Sequence, residues 1–236
     1  MKVRDLFIYP IKGLPGCRVA SAEMDQTGFT SDRRYMLTDS EGRFISQREW
    51  PLLSQMQISP DGNLFSIGYQ GESLSVSEPS GNMPLVAVTV WSDTVQAIDC
   101  GDEAADFFSS CLSASVRLVY MHNGDARLTG GADLYADQPV SFADACPILV
   151  VNTASLQLLS EMTGAEMSAL RFRPNIVVES NNPWEEDHWK ELSIGRSRLD
   201  FVKICGRCQV INIDPKTGVS GQEPLRTLSG IRRDGN

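Results

Sequence analysis

The chain has 236 residues, 42% of them hydrophobic and 22% charged, and its 30 acidic and 21 basic side chains leave a net charge of −9. Those proportions belong to a globular protein and exclude collagen, coiled coil and wholesale disorder. A chain of this length buries about 70–75% of its unfolded surface, so it needs neither disulfide nor metal merely to fold; its acidity argues against broad binding to nucleic acid or to anionic membranes.

In chain order, the apolar stretch Leu6 to Tyr9 stops at Pro10. It is too short for a secretory signal, no cleavage site follows, and no run approaches a membrane span, so a cytoplasmic protein is expected. The first hundred residues read as short strands at 3–9, 19–24, 35–38, 44–47, 56–59, 64–69, 74–76, 86–90 and 95–98. Turn-forming residues separate them, among them Asp39-Ser40-Glu41-Gly42, Pro60-Asp61-Gly62-Asn63 and Ser80-Gly81-Asn82. This punctuation predicts a barrel or sandwich rather than alternating βαβ units. Asp102 can cap a helix with Phe107, Phe108, Cys111 and Leu112 on one side, and 116–120 reads as a strand.

Between Met121 and Gln138 apolar residues give way to Gly, Asp and Asn, which marks a domain junction or an active-site loop. The apolar run 147–151 follows. Asn152 or Thr153 then caps a helix with Leu156, Leu159 and Met162 inward, ended by Gly164. Strands are expected at 175–179, 191–194, 199–204 and 210–214, with 184–189 an acidic, aromatic connector. The chain as a whole is expected to be mainly β with a few helices, an α+β protein.

Six cysteines are present, and Cys17, Cys100, Cys111 and Cys146 are scattered as small buried residues would be. Cys205-Gly206-Arg207-Cys208 stands between two predicted strands and admits four readings. A structural zinc site needs two more ligands, but no second cysteine pair exists and His122 and His188 are isolated. A thioredoxin-like dithiol expects its motif to open a helix, whereas Val210, Ile211 and Ile213 continue as a strand. A single thiolate favoured by the Arg207 charge suits a soft transition metal. Plain structural cysteines are the fourth reading, and all four stay open on these residues alone.

Arg171-Phe172-Arg173-Pro174-Asn175 is the second concentration of chemistry. Pro174 biases Arg173 toward an extended backbone, and two guanidinium forks with an amide grip a phosphate or an anionic ring substituent. The competing reading is ordinary pairing with surface carboxylates. Lys12 and the Arg33-Arg34 pair offer further cations. Phosphate-loop, dinucleotide and nucleophile-elbow motifs are missing, and Glu185-Glu186-Asp187-His188 reads as a solvated loop with Trp184 and Trp189 anchoring it.

Taken together, Tyr9-Pro10-Ile11-Lys12, Asp32-Arg33-Arg34-Tyr35-Met36-Leu37 and Ser46-Gln47-Arg48-Glu49-Trp50-Pro51 resemble the β-barrel domain that precedes MOSC domains, the molybdenum-cofactor sulfurase C-terminal domain. Phe142-Ala143-Asp144-Ala145, Asn152-Thr153-Ala154-Ser155-Leu156, Phe172-Arg173-Pro174-Asn175, Trp184-Glu185-Glu186-Asp187, Cys205-Gly206-Arg207-Cys208, Asp214-Pro215-Lys216-Thr217-Gly218 and Glu223-Pro224-Leu225 are similar to the MOSC domain itself. The ordered set most resembles the bacterial YcbX-like proteins and the mitochondrial amidoxime-reducing component. The resemblance implies an N-terminal β-barrel-like domain over 1–121 packed on a MOSC β-barrel domain over 122–236, the latter lacking its usual C-terminal segment.

It also implies a molybdenum–pyranopterin enzyme that reduces N-hydroxylated compounds by removing oxygen at the metal. Cys208 falls on the metal-ligating, catalytic position; Lys12, Arg33, Asn152, Thr153, Arg173, Asn175 and Arg207 fall on positions that hold the cofactor. Cys205 is then a packing or supporting residue. Four cysteines spaced for an iron–sulfur cluster are missing, so a separate electron donor of the ferredoxin or flavin-reductase type is expected. A small N-hydroxylated substrate is expected, and neither nucleic acid nor membrane. Two other readings accompany this one: a carrier of molybdenum cofactor or sulfur without turnover, and a cofactor-free interaction protein.

Overall fold

Tyr35, Met36 and Leu37 are consecutive buried apolar residues on the strand Tyr35–Asp39, a pattern that only a strand covered on both faces can satisfy. In the computed structural model, which describes residues 2–61, 64–80, 83–121, 126–129 and 137–232, that strand lies inside a five-stranded sheet. It pairs antiparallel with Val116–Tyr120 and parallel with Ile11–Lys12, and Asp93–Asp99 and Leu85–Val90 complete the order. Successive strand residues point to opposite faces. Tyr35, Leu37, Leu118 and Tyr120 enter one apolar cluster, and Met36, Val119 and Met121 enter a second with Val88, Val90, Ala97 and Phe142. The first cluster is closed by Phe108 and Leu112 from the helix Asp102–Leu112 and by Ile67, Leu74 and Val76 from the meander Gln57–Asp61, Leu64–Tyr69 and Glu72–Val76.

The chain divides into two compact units that are not sequential halves. The larger joins Ile8–Cys17 to Glu23–Pro147 and contains both clusters just described. The smaller joins Met1–Phe7 and Arg18–Ala22 to Ile148–Asn236. Its sheet runs in the order Val150–Asn152, Ile176–Glu179, Lys2–Ile8, Cys17–Val19. Its core gathers Leu159 of the helix Thr153–Thr163 with Met167, Phe172, Ile211 and Leu228, the last from the helix Leu225–Ile231. Asn152 caps the Thr153–Thr163 helix, its side chain accepting from the Ser155 N–H, and Gly164 ends it in a left-handed turn at φ 68°, as the sequence predicts.

The α+β class is borne out, and the strands at 64–69, 116–120 and 191–194 run as expected. Each sheet among the described residues ends in two edge strands rather than closing on itself. Other elements differ. Residues 44–47 form only an isolated bridge at Phe44, because the Ser46 N–H and hydroxyl both donate to Glu49 and turn the chain. Gly101, at φ 93°, caps the Asp102–Leu112 helix, and Asp102 is its first residue, paired with Arg117. Met162 is 47% exposed rather than inward.

The strand expected at 199–204 stops at Asp200, and 210–214 is a tight 3-10 turn, Gln209–Asn212, with Ile211 and Asn212 buried. A short apolar run fits a strand or a turn equally well by periodicity; here Ile211 donates to the Cys208 carbonyl and Arg171 takes the Ile211 carbonyl, which fixes the turn. The expected junction from Met121 to Gln138 lies largely outside the described residues, as does His122. No helix among the described residues is long and apolar enough to cross a membrane.

Phe108 is fully buried and meets Phe107 edge-on at 5.2 Å between ring centroids. Phe108→Ala should therefore cost about 3–5 kcal/mol in urea denaturation; a loss under about 1 kcal/mol would contradict its place at the centre of the larger unit's core.

Candidate functional site

Two constellations carry the chemistry, one in each unit. In the larger unit Ile11–Lys12 runs beside Tyr35 and Met36, which places Lys12 at the sheet edge next to the 142–144 segment. Asp32, 1% exposed, organises the neighbourhood: Oδ1 accepts the Tyr9 N–H at 2.8 Å and Oδ2 accepts Arg33 Nη1 at 2.6 Å. Arg33 adopts the left-handed region at φ 51°, so its guanidinium lies 4.5 Å over the Tyr9 ring. Burial lowers its affinity for a proton, but Asp32 and its hydrogen bond outweigh burial and hold it above its ordinary value.

Lys12 donates to the Phe142 carbonyl at 2.9 Å and to Asp144, while the Phe44 and Trp91 rings stand 5.2 and 5.7 Å from its ammonium. Burial pulls its pKa down to about 8; Asp144 opposes that, and the charges of Arg33 and Arg127 add to it. Arg127 reinforces the same wall, donating to the Ala143 carbonyl at 2.8 Å and to Asp93 at 2.7 Å. Three cations thus meet around one short segment of an acidic chain.

In the smaller unit the Arg171-Phe172-Arg173 segment and the cysteine loop come together. Arg207 Nη2 donates to the Phe172 carbonyl at 2.6 Å, and its Nη1 reaches Cys205 Sγ at 3.0 Å. Arg171 donates to the Ile211 carbonyl at 3.2 Å and to Asp214 at 3.0 Å, fastening the turn that follows Cys208. Both thiols of the motif are exposed. The guanidinium contacts Cys205, and Cys208 opens the Gln209–Asn212 turn. Arg207 Nε is buried with no acceptor among the described residues. Arg173 is not extended as Pro174 suggests: it closes the Ala169–Phe172 helix at φ 56°, ψ 45°, its N–H bonded to the Leu170 carbonyl. The helix-closing bond outweighs the steric bias of the proline.

The amide residues have different surroundings. Asn152 is fully buried; besides capping its helix it donates to the Asn182 carbonyl at 3.2 Å and to Glu186. Thr153 exchanges hydrogen bonds with the Ser180 backbone at 3.3 Å. Asn175 ties three strands, accepting from the Leu149 N–H at 3.2 Å and donating to the Phe7 carbonyl at 3.3 Å. These three side chains hold the scaffold. Glu186, read from sequence as solvated, packs against them, accepting from Asn152 and Ser155. Burial raises its pKa above its ordinary value, and hydrogen bonds, those from Ser155 and Asn152 among them, restrain that rise. The flanking Trp184, packed on the smaller unit's core, was the one sequence signal that this run is not free loop.

Among the described residues no three His, Cys, Asp or Glu side chains are placed to hold a metal ion. Of the scattered cysteines, Cys17 is buried, its thiol pushed up to about 11, and burial pushes Cys100 up to about 12. Both are poor nucleophiles and poor ligands.

The MOSC N-terminal beta barrel domain matches residues 1–115 and the MOSC domain residues 137–236. "Mitochondrial amidoxime-reducing component 1" of Mus musculus is 34% identical across 98% of this chain and 71% of its own length, and the Homo sapiens protein of that name is 32% identical across 98% and 72%. "Molybdenum cofactor sulfurase" of Danio rerio is 30% identical across 97% of this chain, which spans 30% of that longer protein. Both domains in this order define a two-domain MOSC protein. The chain belongs to the MOSC family, in the branch of the mitochondrial amidoxime-reducing components.

The depressed Lys12 pKa has a measurable consequence. Above about pH 8 the folded protein releases a proton that the unfolded chain keeps up to its ordinary value of 10.5. Folding stability should rise with pH across that window and be level below about pH 8, where both states hold the proton. Relative to Lys12→Met, the wild type should gain stability with pH between these limits, on the order of 1 kcal/mol per pH unit, in urea denaturation. Parallel stabilities of the two proteins from pH 7.5 to 10 would contradict a buried, charged Lys12.

Proposed function

We propose that this chain is a molybdenum-cofactor-binding reductase that removes oxygen from N-hydroxylated compounds, with Cys208 as the protein's ligand to the metal. The observation that carries the proposal is the exposed Cys208 thiol at the start of a pinned turn, in a chain a third identical to amidoxime-reducing components. The residues fit the group. A thiolate is the soft donor that molybdenum accepts, and a metal delivered on its own organic chelate asks for few ligands from the protein. Cations gathered in a chain of net charge −9 suit an anionic cofactor.

Arg207 and Arg173 of the cysteine-loop neighbourhood, and Lys12 and Arg33, are assigned to holding the cofactor. Asn152, Thr153 and Asn175 are assigned to keeping the helix and strands in register around it, since their side chains bond to the protein itself. Arg207 orients the loop by bonding the Phe172 carbonyl, and Cys205 accepts its second N–H. When bound, the cofactor supplies the two-electron chemistry by which an N–OH group, with two protons, becomes N–H and water. The electrons come from a separate ferredoxin or flavin-type reductase, in a cytoplasmic setting. Similarity to a molybdenum cofactor sulfurase supports a second reading, a carrier that binds cofactor or sulfur without turnover.

Elemental and pterin analysis of the isolated protein, with reduction of an arylamidoxime by a chemical or protein donor, tests this. Molybdenum with turnover is expected, molybdenum without turnover supports the carrier, and no molybdenum from a cofactor-replete host refutes both. Cys208→Ala should lose metal and turnover together. Cys205→Ala should keep molybdenum while losing stability; a folded Cys205 variant stripped of metal would overturn the division of roles between the two thiols.

A further inference from the structure

Arg33, Arg34, Arg43, Arg117 and Arg127 of the larger unit each face a carboxylate. Arg48 does not: among the described residues its side chain has no hydrogen bond or ion pair. In a chain with 30 acids and 21 bases this is no shortage of carboxylates. Arg48 instead lies over the Trp91 ring, its guanidinium carbon 4.6 Å from the centroid. Trp91 is 42% exposed and stands at φ 58° in the two-residue turn joining Leu85–Val90 to Asp93–Asp99. Glycine or asparagine suits such a turn; a bulky residue there is strained, and strain of this kind collects at functional positions. Phe44 braces the indole from 5.0 Å, and the Lys12 ammonium stands 5.7 Å from it.

Stacking fixes the plane of a guanidinium but leaves its in-plane N–H groups free, the arrangement that grips a carboxylate or phosphate with two parallel hydrogen bonds. We infer that Arg48, held flat on the exposed Trp91, binds the oxyanion of the small-molecule substrate, Trp91 serving as a positioning residue for the guanidinium. The inference rests on the reductase reading for the identity of that substrate, which is then an N-hydroxylated compound carrying a carboxylate or phosphate. Lys12, assigned to the cofactor, borders the same indole.

The test uses the intact protein and two readouts. Benzoate and inorganic phosphate are titrated while tryptophan emission is followed, with Trp91→Phe identifying the responding indole. Saturable quenching is expected in the wild type, about tenfold weaker in Arg48→Met and partly restored in Arg48→Lys. In turnover assays, the ratio of KM for a carboxylated arylamidoxime to that for its uncharged parent should rise about tenfold in Arg48→Met. Equal benzoate affinity in wild type and Arg48→Met, or an unchanged KM ratio, overturns the inference while leaving the reductase intact. Benzoate binding that depends on Arg48, in a protein that reduces neither compound, upholds the anion site and removes the reductase. Loss of molybdenum from folded Arg48→Met and Arg48→Lys assigns the oxyanion to the cofactor and overturns its assignment to the substrate.

Discussion

One guanidinium joins two stretches of chain that sequence separates by 35 positions: Arg207 bonds the Phe172 carbonyl and a cysteine sulfur at once. Without it the loop from Phe201 to Cys208, which has no regular structure and is largely exposed, would have little to hold it. Arg171 works from the same segment in the opposite direction, reaching the turn after Cys208. The thiol at 208 is therefore presented to solvent by a pair of arginine clamps anchored on a buried phenylalanine. A loop carrying function on a rigid support is the usual division of labour in a binding site.

The larger unit solves a different problem, the placing of cations where water is scarce. Burying an ammonium is unfavourable unless oxygens meet it, and Lys12 is met by one carbonyl and one carboxylate, with aromatic faces over the remainder. Asp32 does the same for Arg33 from a position of almost complete burial. A chain that needed these charges only for solubility would leave them in water, where they cost nothing to hydrate.

Much of the fold is legible in the residues. Val116 to Tyr120 and Tyr35 to Leu37 alternate between two apolar clusters, and that pattern already demands a sheet covered on both sides. Asn152 and Gly164 bracket a helix because a side-chain acceptor and a left-handed glycine are what its two ends require. Val210, Ile211 and Ile213 misled because three apolar residues fit a strand or a turn; the deciding partner, Arg171, comes 40 residues earlier. Glu186 misled in the same way: its carboxylate is settled by Asn152 and Ser155, contacts more than 30 residues away in the chain. Of the site, the residue types were legible as soft sulfur and anion-gripping cations. Which sulfur Arg207 touches, and that Arg173 is left-handed, depend on contacts that no spacing encodes.

The central claim is that the sulfur of residue 208 bonds molybdenum, and X-ray absorption at the metal edge addresses it most directly. Wild-type protein and Cys208→Ser, each loaded with cofactor, should differ by one sulfur scatterer in the metal's inner shell, replaced by oxygen in the variant. Identical sulfur shells in the two would place the ligand elsewhere and contradict the account.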